Sequence, residues 1–112
     1  MLLPNAEHAF TDNRKLADYS LNPTHPVGRH KSSVFRSALE LTADNAEALR
    51  EILLQAVLVH SFVLSRRDEF GQRYTVDFPV STKHGTAILR SAWIVRHDED
   101  FPRLVTCLVL SD

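Results

Sequence analysis

Arg29-His30-Lys31 is the stretch of this chain with the densest chemical capacity. A histidine is the side chain best matched to proton transfer near neutral pH, and an adjacent lysine can offset negative charge as it develops in a transition state. The tripeptide falls between a glycine-containing turn and the start of a predicted helix, where free backbone N–H groups and the helix dipole favour an anion such as phosphate. Around it, Leu21 to Leu39 carries Arg29, Lys31, Arg36, His25 and His30 and no acidic residue, the one basic island in a chain of net charge −1. The same residues also fit an ordinary solvated loop at a helix start.

Strand alternation supplies a second set. In the segment around Trp93, the residues Ala87, Leu89, Ser91, Trp93 and Val95 form the more apolar side, which leaves Thr86, Ile88, Arg90, Ala92, Ile94 and Arg96 on the other. The preceding strand places Arg73, Thr75 and Asp77 opposite its own apolar set. Arg73, Arg90 and Arg96 around one carboxylate are therefore expected on an open sheet face, where they could clamp an anion or simply form cross-strand ion pairs.

Other chemistries find little support. The six histidines include no H-x-H or H-E-x-x-H pair, and one cysteine cannot build a structural zinc site, so no metal and no cofactor is expected. Cys107 sits among Leu104, Val105, Leu108 and Val109 and reads as an inert buried thiol. There is no glycine-rich phosphate loop and no G-x-S-x-G elbow. Trp93 reads as core, and Asp98-Glu99-Asp100 as a solvated hairpin loop.

The elements that must position these groups are legible from period and punctuation. Asp12-Asn13 caps a helix over Arg14 to Ser20, and two prolines and a glycine between Pro23 and Gly28 forbid regular helix there. A helix resumes near Lys31 with Val34, Phe35, Ala38 and Leu39 at helical spacing. Thr42 caps the longest helix, in which Ala46, Leu49, Ile52, Leu53, Ala56 and Val57 share one side. From about Ser61 the period changes to two. Phe62 to Arg66, Tyr74 to Val80 and Thr86 to Arg96 read as strands, and Leu104 to Leu110, apolar on both faces, reads as an interior strand. The expected architecture is α+β: N-terminal helices packed on one face of a four-stranded antiparallel meander, a single domain over 1–112 with a helical part at about 12–60 and a sheet part at about 61–110.

Composition agrees. At 112 residues, 44% hydrophobic and 24% charged, with three glycines and five prolines, the chain fits one globular domain and not a disordered or fibrous one. Thirteen Lys and Arg against fourteen Asp and Glu exclude the global basic excess of a protein that wraps DNA or coats an anionic membrane. The apolar run Ile52 to Val59 is far short of the roughly 18 residues that span a bilayer. With one cysteine and an N-terminus unlike a signal peptide, the expected setting is the cytoplasm.

Several stretches together carry a resemblance. They are Lys15-Leu16 through Tyr19-Ser20-Leu21-Asn22-Pro23, His25-Pro26-x-Gly28-x-His30-Lys31-x-x-Val34-Phe35, Tyr74, Arg90-Ser91-Ala92-Trp93-Ile94-Val95 and Phe101-Pro102-Arg103-Leu104-Val105-Thr106. They resemble a family of small bacterial domains of unknown function, of the form K-L-x-x-Y-L-L-N-P-x-H-P-x-G-x-x-K-A-x-x-F followed by R-S-A-W-I-V and P-R-L-V-T. Its members occur free-standing and within larger phage-related or toxin-like polypeptides. Ser20 and Ser32 depart from the usual Leu and Ala.

The element order is also similar to that of the barnase, EndoU, colicin and RelE superfamily of metal-independent RNA-cleaving toxins, an analogy at the level of fold. The resemblance implies a ribonuclease-toxin-like domain in which a base takes the 2′-hydroxyl proton, the oxygen attacks the adjacent phosphorus and cations stabilise the charged transition state. It implies His30 as general acid or base, Lys31 and Arg90 as phosphate clamps, and Thr106, Ser91 and Arg103 orienting the substrate, with Arg29 and Arg73 as further substrate-binding cations. Arg90 and Ser91 point to opposite faces of a regular strand, so joint service would require a bulge. RNA would be the substrate and a small antitoxin or immunity protein the partner. The rival expectation is a non-catalytic interaction domain that binds a protein through the open sheet face or a strand edge.

Overall fold

Val76, Phe78 and Val80 alternate with Asp77 and Pro79, and in the folded chain the first set is buried while the second is exposed. That alternation belongs to strand β2 (Gly71–Thr82), which is flanked by β1 (Val63–Asp68) and β3 (Gly85–Arg96); β4 (Arg103–Leu110) completes an antiparallel sheet of order β1-β2-β3-β4. The computed structural model describes residues 1–110. The chain is α+β, its helices in the N-terminal half and its sheet a meander, as the period change at Ser61 predicts.

Three α-helices precede the sheet. Helix α1 (Asn13–Lys15) widens into a π-helical turn over Leu16–Ser20, and Asp12 caps it by accepting the Arg14 N–H at 2.8 Å. Helix α2 (Arg29–Leu39) buries Ser32, Phe35 and Leu39, one stripe at i, i+3 and i+7. A 3-10 turn (Ala43–Asn45) leads into α3 (Ala46–Ala56), and the Thr42 N–H donates to Asn45 Oδ1 at 2.9 Å, so the cap predicted at Thr42 acts one turn earlier. Ala46, Leu49, Leu53 and Ala56 of α3 are buried with Leu89, Trp93 and Cys107 of the sheet in one core.

Trp93 is fully buried, and its indole N–H is satisfied within the core. Nε1 donates to Ser91 Oγ at 2.8 Å, and that hydroxyl donates to the Val76 carbonyl at 2.8 Å. A tryptophan can be this deep only when its one polar atom has a partner.

Strand β4 differs from expectation. It is an edge strand, not an interior one, although apolar on both faces. Part of its free edge is closed by the N-terminal segment: the Phe10 N–H donates to Pro102 O at 2.9 Å and the Leu104 N–H to Phe10 O at 3.0 Å. At the opposite edge, the Phe62 N–H donates to Met1 O at 3.0 Å, so residues 1–10 run from one edge of the sheet to the other, with Leu3 and Ala6 in the core.

The pairing of β3 with β4 shifts between Ala92↔Thr106 and Trp93↔Leu104, which leaves Val105 as an extra residue. Counting inward from buried Leu104, strict alternation would bury Thr106 and expose Cys107. The bulge reverses this: Cys107 is buried opposite Ser91, and Thr106 is only half-buried. Burial pushes the Cys107 thiol up to about 12, which keeps it protonated and unreactive.

Candidate functional site

The loop between α1 and α2 is folded on itself, which fixes how α2 enters. Asn22 Oδ1 accepts the Thr24 N–H at 2.9 Å, and His25 Nδ1 accepts the N–H groups of Val27 and Gly28 at 3.0 and 2.9 Å. With Nδ1 held as an acceptor, the His25 ring is set in place as a structural group, stacked edge-on to Tyr19 at 4.8 Å. Gly28 lies so close to Tyr19 that a Cβ there would stand 2.1 Å from the Tyr19 carbonyl oxygen. Ser32 Oγ then donates to Leu21 O at 3.1 Å and binds the first turn of α2 to the loop.

This framework brings Lys31, Tyr19 and Thr106 together. Lys31 Nζ donates to Thr106 Oγ1 at 2.8 Å and to the Tyr19 hydroxyl at 3.4 Å, and it stands 5.0 Å from the Tyr19 ring centre. Lys31 and Thr106 are 75 positions apart in the chain. All three contacts are neutral, and no carboxylate among the described residues lies within 4.0 Å of the ammonium. The lysine is ordered and its charge is uncompensated.

Next to it opens a cleft of about 750 Å³ between the start of α1, the Asp68–Gly71 turn, and the facing ends of β3 and β4. Lys15, Arg73, Arg96, Arg103 and His97 line it, with the rings of Phe10 and Phe70 at its margin. These cations differ in how they are neutralised. Arg73 Nε is 2.7 Å from Asp68, which Arg66 also reaches at 3.1 Å, and the Arg73 hydrogen bond first of all holds the Asp68 carboxyl well below the usual carboxylate range. Arg103 grips Glu99 through two bonds of 2.7 Å, lowers its pKa, and lies between the rings of Phe10 and Phe101 at 5.1 and 5.0 Å. Arg96 has only a 3.9 Å contact with the same Glu99.

Lys15 has no carboxylate within 4.0 Å among the described residues. Desolvation first, then repulsion from Arg96 and Lys31, holds it below the usual lysine range. Asp12, Glu69 and Asp98 also line the cleft and moderate its field. His97 Nε2 is 2.9 Å from the Asp68 carbonyl oxygen; a carbonyl can only accept, so Nε2 carries a proton and donates, and in the tautomer with that single proton Nδ1 is the acceptor.

Of the residues that pattern and resemblance single out, Lys31 and Thr106 meet, and Arg73 and Arg103 meet in the adjoining cleft. The others lie elsewhere. Arg90 grips Asp77 through bonds of 2.9 and 2.8 Å on the open face of the sheet, opposite it in register. Ser91 is fully buried with its hydroxyl engaged by Trp93 and Val76, so it orients the core and touches no substrate. The bulge falls at Val105, not between Arg90 and Ser91, and does not bring these two to one face. His30 and Arg29 are exposed in the first turn of α2 and do not line the cleft.

Lys15, Tyr19 and His97 are the members of this end of the molecule that local reading does not assign to it; Arg96, which alternation groups with Arg73, lines the cleft together with it. Tyr19 precedes the Asn22-Pro23 turn in the family-like motif, and His97 adjoins an acidic loop; neither position announces its partner, Lys31 for the first, 12 positions away, and Asp68 for the second, 29 positions away. Among the described residues, no group of three or more His, Cys, Asp or Glu is placed to hold a metal, and no helix is long and apolar enough to cross a membrane.

These features define a small α+β domain whose helices cover one face of an antiparallel meander and whose uncompensated charge gathers beside a bulged edge strand. The family described as "Domain of unknown function (DUF6883)" matches residues 2–111, and the chain belongs to that family. No curated protein and no solved structure matches the chain.

Proposed function

We propose that the domain is a ribonuclease-toxin-like module that binds single-stranded RNA in the cleft beside Lys31, cleaves it without a metal, and is neutralised by a small antitoxin or immunity partner. The observation that carries this reading is the uncompensated Lys15 in a cleft bordered by two exposed aromatic rings, Phe10 at 44% and Phe70 at 61% exposure, with a second uncompensated cation, Lys31, held on Thr106, the chain neighbour of the lining residue Val105. Cations of this kind attract phosphate, and exposed rings stack unpaired bases.

In the proposed reaction His97 Nδ1 takes the proton of the ribose 2′-hydroxyl. The O2′–P bond forms and the P–O5′ bond breaks, leaving a 2′,3′-cyclic phosphate. The proton returns from the imidazole through water to the leaving 5′-oxygen, so no oxidant or co-reactant is needed. Lys15, Lys31 and Arg96 stabilise the charge that builds on the phosphoryl oxygens. His97 thus takes the role that the resemblance assigns to His30.

The test is incubation of the purified chain with end-labelled single-stranded RNA in excess chelator. Cleavage to cyclic-phosphate ends, slowed about 100-fold or more in His97→Ala and little changed in His30→Ala, is the expected result. RNA left intact by the unaltered chain overturns the proposal.

A second reading, protein binding through a strand edge, is favoured by β1. Residues Val63 to Arg67 are all exposed, and the strand lies at the edge of the sheet.

A further inference from the structure

Ten arginines occur in the chain, and seven of them lie within 4.0 Å of a carboxylate. Among the described residues only Arg29, Arg36 and Arg67 do not. Two of these three line one groove, of about 660 Å³, on the side of α2 away from Lys31. In a chain with one more acid than base, two unpaired guanidiniums in one depression mark a place where the fold withholds its usual carboxylate.

Helical geometry accounts for the convergence. Arg29 and Arg36 are seven residues apart, about 20° from eclipsed around the helix axis and about 10 Å apart along it, while Lys31 is roughly 200° away from Arg29. Ser33 lies between the two arginines along the helix and Ser37 directly follows Arg36, and both line the groove. Guanidinium forks match the oxygens of a tetrahedral anion, and hydroxyls add short-range donors.

The walls are held in place by contacts from distant parts of the chain. On one side Pro23 belongs to the loop that His25 and Ser32 tie down. On the other, the β2–β3 turn is clamped to the end of α2: Thr82 Oγ1 donates to Leu39 O at 3.2 Å, and a Cβ at Gly85 would stand 2.4 Å from Ala38 O. The one acid in the groove, Glu40, is engaged by His84 Nδ1 of that turn. The arginines are thereby spared the groove's only local carboxylate.

We propose that this groove is a second anion site, distinct from the cleft, which takes a phosphate ester through Arg29 and Arg36 with Ser33 and Ser37 as hydroxyl donors. The phosphate can belong to an RNA strand or to a small free phosphate compound. The RNA source rests on the function proposed above; the small-molecule source does not.

The experiment follows backbone amide shifts of the isotope-labelled chain on addition of inorganic pyrophosphate, and in parallel the salt dependence of binding to a fluorescent single-stranded RNA. Pyrophosphate is expected to shift the amides of Ser33 and Ser37, and the Arg29→Gln/Arg36→Gln double variant to abolish those shifts. Arg67→Gln, which removes the third unpaired arginine, is expected to leave them unchanged. If RNA is the source, the double variant lowers the slope of log affinity against log salt by about 1.4, two contacts at about 0.7 each. A pyrophosphate response with an unaltered RNA slope identifies a small phosphate compound and sustains the site. Absence of any response at Ser33 and Ser37 to either probe overturns it. Failure of the cleft is read separately, since an RNA-inactive chain whose Ser33 amide still responds to pyrophosphate loses only the ribonuclease reading.

Discussion

Arg90 on the open sheet face and Lys31 on α2 are both cations held by hydrogen bonds, yet they leave different fields around them. The two bonds of Arg90 end on the carboxylate of Asp77, its cross-strand neighbour, and the pair is close to neutral from outside. Those of Lys31 end on a threonine hydroxyl and a tyrosine phenol, so the ammonium is positioned and its charge still projects. An open face with several arginines is therefore a weaker anion attractor than a single lysine among hydroxyls. What matters for a polyanion is the charge left after local pairing, not the number of basic residues on a face.

The contrast is sharpest in activity. Lys31→Met keeps most of the aliphatic packing and removes the charge, and is expected to slow RNA cleavage about 100-fold, equivalent to about 2.7 kcal/mol of barrier, whereas Arg90→Met changes the rate less than 3-fold. Equal losses in a single-turnover assay would break the comparison.

Next in size is the frame that holds Lys31. Gly28→Ala puts a methyl into the Tyr19 carbonyl and is expected to lower stability by about 1–3 kcal/mol in urea unfolding while weakening RNA binding. Stability unchanged by that substitution would show that the loop accommodates it and does not set the lysine.

Ser91→Ala and Arg90→Ala separate the two faces of one strand. The first leaves the Trp93 indole N–H unpaired in the core, a cost of about 1–3 kcal/mol, while the second removes an exposed ion pair worth at most about 1 kcal/mol. Thermal unfolding of both variants decides it, and the reverse order would place Arg90 and not Ser91 among the structural residues.

The smallest expected effect concerns the paired carboxylates. Arg73 holds Asp68, and Arg103 holds Glu99, below their unfolded pKa values. Their stabilisation is complete above the unfolded carboxylate range and is lost as pH falls through it toward the folded values. The melting temperature should be flat from pH 7 to about 5 and decline below that. Asp68→Asn should flatten the decline. The uncompensated Lys15, held low by desolvation, works in the other direction: RNA binding should weaken as pH rises through its depressed pKa, before an ordinary lysine would titrate.

Much of the fold was legible because local periodicity carries it. The stripe of Phe35 and Leu39 on α2, that of Leu49 and Leu53 on α3, and the alternation through Val76, Phe78 and Val80 each report which side is covered. The boundary at Ser61 and the caps at Asp12 and Thr42 were readable for the same reason. Strand β4 was not, since residues apolar on both faces fit an interior strand as well as an edge that Phe10 partly closes. Of the site, Lys31 and Thr106 could be nominated from motifs, but not their contact.

By itself the sequence determined the α+β class, the helical and strand faces, the burial of Trp93 and Cys107, and the basic island between Leu21 and Leu39. Only the tertiary structure decided which charges remain uncompensated. Pairing depends on contacts such as Arg103 with Glu99, Arg73 with Asp68 and His84 with Glu40, which turns and register create, and on a bulge at Val105 that no local propensity encodes. A balanced composition fixes the sum of the charges. Chain folding sets where that sum is left over, because Coulomb attraction is strong only between groups that the backbone brings within a few ångströms.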